Sequence, residues 1–78
     1  MTSEPVVVRP PVHLSAPEDV RLRDVARLNM DIAIEVAEGA SVICLVGAKT
    51  MTEGSRLALQ GLAERLGARG VELQMQSR

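Results

Sequence analysis

Five consecutive apolar residues, Val42-Ile43-Cys44-Leu45-Val46, form the longest unbroken apolar run of the chain. An unbroken run of that length predicts a strand covered on both faces, and so the centre of a sheet. After it, Leu59, Leu62 and Leu66 recur at helical spacing and Gly67 stands where that helix would close. The helix start is marked by Thr50-Met51-Thr52-Glu53, which has the form of a capping box with Thr50 as the cap. Val71, Leu73 and Met75 then alternate with Glu72, Gln74 and Gln76, the pattern of a half-exposed strand. Residues 42 to 75 therefore predict a strand-helix-strand unit with a parallel, right-handed crossover.

The first half is less regular. Val6-Val7-Val8 is a β-branched run stopped by Pro10-Pro11, which predicts a short edge strand. Ser15-Ala16-Pro17-Glu18 also has capping-box form, with proline in the first turn. Leu22, Val25, Ile32 and Val36 follow near helical spacing, and Gly39 fits a C-terminal cap, so one helix from about residue 16 to 38 is expected. A second reading ends that helix near Asn29 and makes Ile32, Ile34 and Val36 a strand that turns at Glu38-Gly39 into a hairpin. The fold class is α/β: a small single-layer sheet with two helices in one domain spanning residues 1–78, with residues 1–4 polar and loose. The chain carries no repeats, low-complexity tracts or internal linkers.

Composition narrows the function classes. A chain of 78 residues buries only about 60% of the surface its unfolded form exposes. Phe, Tyr and Trp are absent, so the core is wholly aliphatic, and support from a partner or a second copy in a homo-oligomer suits so small a core. Without rings there is no platform for base stacking, and nine basic residues against ten acidic ones make no basic groove. Neither nucleic acid nor a membrane surface is expected as a partner. The single cysteine excludes an internal disulfide and a cysteine-cluster metal site. No apolar run approaches the roughly 20 residues of a membrane span, and the N-terminus lacks a basic region followed by an apolar stretch. A cytoplasmic protein without cofactor or metal is the expectation.

Three places carry candidate chemistry. His13 falls between the expected first strand and first helix, where an imidazole near a helix start is suited to phosphoryl transfer; its plainer reading is a surface histidine. Cys44 lies within the most apolar stretch, where burial makes a thiol inert. The segment Gly47-Ala48-Lys49-Thr50-Met51-Thr52-Glu53-Gly54 joins the central strand to a helix start, the position at which α/β sheets bind anions and ligands. It is not a P-loop, since the upstream glycine is missing and Ala48 separates Gly47 from Lys49. Its plainer reading is a capped turn with Gly54 for close packing, in which Thr50→Ala costs about 1 kcal/mol and Thr52→Ala little.

From Ser41 onward the chain resembles the second half of a STAS domain, the fold of anti-sigma-factor antagonists. The resemblance rests on Ser41-Val42-Ile43-Cys44-Leu45-Val46, on Met51-Thr52-Glu53-Gly54 opening a helix, and on Leu62-Ala63-Glu64-Arg65-Leu66-Gly67-Ala68-Arg69-Gly70-Val71-Glu72-Leu73. It implies that Thr52 takes the position of the family's phosphorylatable hydroxyl and Gly54 that of its glycine. Met51 and Glu53 stand where the family has an acid and a second serine, and the family's last strand and helix have no counterpart. Ala48-Lys49-Thr50-Met51 also looks like a segment of phosphocarrier proteins of the HPr type, although His13-Leu14-Ser15-Ala16-Pro17 lacks their His-x-Arg-Pro.

The STAS resemblance implies a bacterial signalling module that regulates through protein–protein interaction. Its docking surface would be Lys49, Thr50, Thr52, Glu53, Gly54 and Arg56, with Thr52 the phosphorylation site and a kinase-like anti-sigma factor or a complex subunit the partner. The alternatives are a phosphocarrier using His13 and an accessory subunit of a larger complex. No set of nucleophile, base and orienting group points to an enzyme, so no catalytic residue is assigned.

Overall fold

The structure, a computed structural model, describes residues 10–76. The order of elements is β1 (Val12–Ser15), β2 (Asp19–Val20), α1 (Leu22–Ala37), β3 (Val42–Val46), β4 (Thr50–Met51), α2 (Glu53–Ala68) and β5 (Glu72–Gln76). The strand expected at Val6 to Val8, and residues 1–4, which were expected to be loose, lie outside the described residues.

The apolar run at 42–46 is the central strand. β3 pairs in parallel with β1 on one side and β5 on the other, giving the order β1-β3-β5. Two strand-helix-strand units thus share one strand, and the unit expected at 42–75 is the second of them. β2 and β4 form a separate two-stranded parallel pair, Asp19 opposite Thr50 and Val20 opposite Met51.

The register sorts the side chains. Val12, Ile43 and Leu73 lie in one row across the sheet, and Leu14, Leu45 and Met75 in the next row on the same face. That face meets the helices: Ile43 and Leu45 are fully buried and cluster with Leu28 and Ile32 of α1 and Leu59, Leu62 and Leu66 of α2. The other face carries the row His13, Cys44, Gln74. Val20 sends its side chain into the main core from the small second sheet, so that pair is anchored by burial as well as by hydrogen bonds.

Both helices close in the same way. At the end of α1, Gly39 N–H donates to Val36 O at 3.0 Å and Ala40 N–H to Glu35 O at 3.0 Å. At the end of α2, Gly70 N–H donates to Gly67 O at 3.0 Å and Val71 N–H to Leu66 O at 2.9 Å. These are Schellman motifs, which need a left-handed residue, and the two glycines have φ of 95° and 82°. The closing glycine of α2 is thus Gly70, and Gly67 lies inside the helix. In the second motif Val71 packs into the same core as Leu66, the apolar contact that accompanies this turn.

Three further expectations are corrected. The helix reaches Ala37 without interruption, so the hairpin of Ile32, Ile34 and Val36 does not form. Its start is Leu22, several residues later than Ser15-Ala16-Pro17-Glu18 suggested. Ser15 is the last residue of β1, held in line with Val46 by parallel pairing, and Ala16 N–H extends the ladder to Val46 O at 2.8 Å. Arg21 occupies the N-cap position and has no side-chain acceptor to offer, so capping comes from the other direction: Asp24 Oδ2 accepts the Arg21 N–H at 2.9 Å. Finally, Thr50 is not a cap, because pairing with Asp19 draws it into the extended β4.

Candidate functional site

The C-terminal ends of β1 and β3 and the starts of both helices converge on one edge of the molecule, as the topology of an open parallel sheet requires. Two loops meet there. Glu18 O accepts from Lys49 N–H at 2.8 Å and Thr50 N–H at 2.9 Å, and Val20 O accepts from Thr52 N–H at 3.1 Å. The backbone of 18–20 therefore splints the segment that leads into α2. Gly47, with φ of 103°, makes the turn out of β3, and its Cα faces the Ala16 carbonyl closely enough that an added Cβ would lie 3.1 Å from that oxygen.

Side chains extend the splint at the surface. Thr50 Oγ1 donates to Asp19 Oδ1 at 3.0 Å, Arg21 Nε donates to Asp19 Oδ2 at 3.0 Å, and Lys49 Nζ lies 3.5 Å from Glu18 Oε1. The Asp19 carboxyl is held below its ordinary value of 3.8, first by the Arg21 hydrogen bond, then by that from Thr50, with the Arg21 charge adding to them. All four of these ionic groups are exposed, so the arrangement orders the loops more than it stabilises the fold.

At the start of α2 the N-cap is Thr52, with its Oγ1 accepting the Ser55 N–H at 3.2 Å. Thr52 Oγ1 and Ser55 Oγ also share a hydrogen bond of 2.7 Å. Ser55 is wholly buried, while Thr52 remains exposed. The roles expected for the two threonines are therefore exchanged: Thr52 caps, and Thr50 bonds to Asp19. Gly54 faces Leu22 at the start of α1, where an added Cβ would sit 3.6 Å from the nearest Leu22 carbon, an ordinary contact.

Lys49, Thr50, Thr52, Glu53, Gly54 and Arg56 are all exposed along this edge. A depression of about 280 Å³ opens beside Lys49 between the loops after β1 and β3, bordered by Ser15, Glu18 and Gly47. A larger cleft, about 630 Å³, lies at the other end of the helices and does not belong to this edge.

His13 is brought to neither helix start. It is exposed within β1, on the sheet face turned away from the helices and in register with Cys44. Cys44 is 2% exposed, and its thiol donates to Gln74 Oε1 at 3.4 Å, in keeping with an inert packed cysteine. Among the described residues no group of His, Cys, Asp or Glu is arranged to hold a metal ion, and no helix is long and apolar enough to cross a membrane.

Sequence reasoning missed Glu18, Asp19, Arg21 and Ser55. The first three lay inside a stretch assigned to a helix. Ser55 carried a usable signal: it precedes Leu59 by four residues and Leu62 by seven, which puts it on the buried stripe. Comparison with known proteins found no match to this chain among family models, curated proteins or solved structures.

Proposed function

We propose that this chain is a STAS-like regulatory module that binds a protein partner through the edge formed by Lys49, Thr50, Thr52, Glu53, Gly54 and Arg56, and that it has no catalytic activity of its own. The observation that carries this reading is the exposed N-cap Thr52, set on a helix start whose preceding loop is fixed by backbone bonds from Glu18 and Val20. A helix start offers unsatisfied N–H groups to a partner's carboxylate or phosphate, and a pre-ordered loop lowers the entropy cost of docking.

The same position suits regulation by a kinase partner. A phosphate on Thr52 brings roughly 1.5 to 2 negative charges to the favourable end of the α2 dipole. Glu53 opposes that charge, while Lys49 and Arg56 lie on the same exposed edge to receive it. Transfer replaces the Thr52 hydroxyl hydrogen by the phosphoryl group of a nucleoside triphosphate, releasing the diphosphate and a proton. Thr52 Oγ1 then has no proton to donate, so its bond with Ser55 Oγ is left with the Ser55 hydroxyl as the donor, and the modification is felt inside the helix start as well as at its surface.

The test is affinity capture from the native cell with the wild-type chain, the double variant Lys49→Glu/Arg56→Glu and Thr52→Glu, followed by incubation of the captured partner with labelled nucleoside triphosphate. The expected result is a kinase-like partner held by the wild type, lost by the double variant, and able to label Thr52. A partner retained equally by all three folded proteins, with no label on Thr52, overturns the reading.

A further inference from the structure

The helical layer has an outer surface that the sheet does not use. Met30 and Ile34 of α1 are 68% and 55% exposed. They are four residues apart, so they form a continuous apolar ridge pointing away from the sheet. Beside this ridge α1 and α2 part to leave the open cleft of about 630 Å³, with Ile32, Ala33 and Val36 on one wall and Leu62 and Leu66 on the other. The α2 rim carries Arg65 and Arg69, and no acidic residue lines the cleft. Arg65 lies back along its own helix, since a Cβ on Gly61 would be 3.6 Å from its Nη1. Among the described residues, neither arginine is in an ion pair.

The cleft therefore calls for a helix with an apolar ridge at i, i+4 and acidic residues along one flank. α1 is such a helix: Asp31 and Glu35 each follow a ridge residue by one position. Asp31 borders a separate depression with Ser15 and Ala16, which puts it, and Glu35 one turn on, on the flank of α1 turned away from α2. Both are half-buried, and neither is in an ion pair among the described residues. We propose that two copies of this chain pair through their helical layers, each setting the Met30–Ile34 ridge into the other's α1–α2 cleft.

The geometry closes on itself. α1 and α2 each run back along the sheet between parallel strands, so they point the same way, and the cleft lining sets residues 29–37 of α1 level with 62–69 of α2. A two-fold axis parallel to the helices brings the α1 of one copy over the cleft of the other with its acidic flank towards the partner α2. Asp31 then meets Arg65 of the second copy, and Glu35 meets Arg69. The reciprocal contacts form in the same operation, as a closed isologous dimer requires. Burying the ridge also supplies the apolar area that a short aliphatic core lacks. This surface lies at the opposite end of the helices from Thr52, so the pairing is independent of the function proposed above.

Sedimentation equilibrium and light scattering on the full chain test the pairing. The wild type is expected at twice the 8.4 kDa chain mass at tens-of-micromolar concentration and low salt. Ile34→Arg is expected as a monomer with unchanged helical circular dichroism. Arg65→Glu/Arg69→Glu and Asp31→Arg/Glu35→Arg are each expected to be monomeric alone and to form a heterodimer when mixed. A monomeric wild type, a dimer that survives Ile34→Arg, or a mixture of the two charge-reversed proteins that stays monomeric overturns the proposal.

Discussion

Thr52 Oγ1 lies 2.7 Å from the buried Ser55 Oγ and accepts the Ser55 N–H at 3.2 Å. One exposed hydroxyl thus partners both polar groups of Ser55, its N–H and its buried hydroxyl, in the first turn of α2. Thr52→Ala is expected to lower unfolding free energy by about 1 kcal/mol, within the range known for lost caps. Thr52→Ser should be close to neutral because it keeps the oxygen. Thr50→Ala gives up only a surface bond to Asp19 and is expected to cost less than about 0.5 kcal/mol. Urea denaturation of the three variants checks the order, and a larger loss at Thr50 than at Thr52 would contradict it.

Asp19 gives the fold an acid-sensitive feature. Its carboxyl is held below 3.8 in the folded chain by Arg21 and Thr50, so through the window just under that value the unfolded state binds more protons than the folded one. Stability then rises with pH across the window. The contribution is fully present above the unfolded value and is lost as pH falls through the folded one. Asp19→Asn should flatten the acid limb of a stability–pH curve while leaving its neutral limb parallel to wild type. An NMR titration placing the Asp19 carboxyl at or above 3.8 would refute the assignment.

Gly47 and Gly67 should respond oppositely to alanine. Gly47 combines a φ of 103° with an Ala16 carbonyl 3.1 Å from the position of an added Cβ. Gly47→Ala is expected to destabilise by about 1–2 kcal/mol through left-handed strain alone, and more if the loop after β1 must shift. Gly67 is helical and has nothing within 4 Å of such a Cβ, so Gly67→Ala should stabilise by roughly 0.5–1 kcal/mol. Thermal melts of the two variants should bracket the wild type.

Leu45 tests the packing of the core. It is fully buried in the central strand, between residues of both helices. Leu45→Ala is expected to cost about 2–5 kcal/mol, a large share of what a domain this size has to lose. Leu57→Ala, at a position 54% exposed, should change stability by less than about 0.5 kcal/mol. Chemical denaturation distinguishes them, and equal effects would misplace the core.

The second half of the chain was legible because its signals are local and agree with one another. An apolar run, a leucine stripe and a period-two segment each specify one element, and all three elements form in that order, with the ends of the helix moved from Thr50 and Gly67 to Thr52 and Gly70. The first half was not, because long-range pairing overrides local preference there. Ser15-Ala16-Pro17-Glu18 satisfies the rule for a helix start, yet β3 offers Ser15 a parallel partner in Val46, and the helix waits until Leu22. β2 and β4, two residues each, are too short to leave any periodicity. That bridge is also what exchanged the roles of Thr50 and Thr52 at the candidate site, since either threonine suits a cap and only tertiary pairing removes one from contention.

The β1-β3-β5 order bears on how quickly the native state is reached. Each register pair joins residues roughly thirty positions apart, Val12 with Ile43 and Ile43 with Leu73, and loops of that length must close before either pairing is rewarded. No β-hairpin among the described residues is available as a fast local nucleus. The transition state must therefore recruit β3 together with at least one crossover helix, and substitutions at Ile43 should slow refolding rather than merely hasten unfolding. A chain stalled before β5 emerges would hold β3 with one flank open, an exposed apolar strand edge and hence a point of aggregation during synthesis.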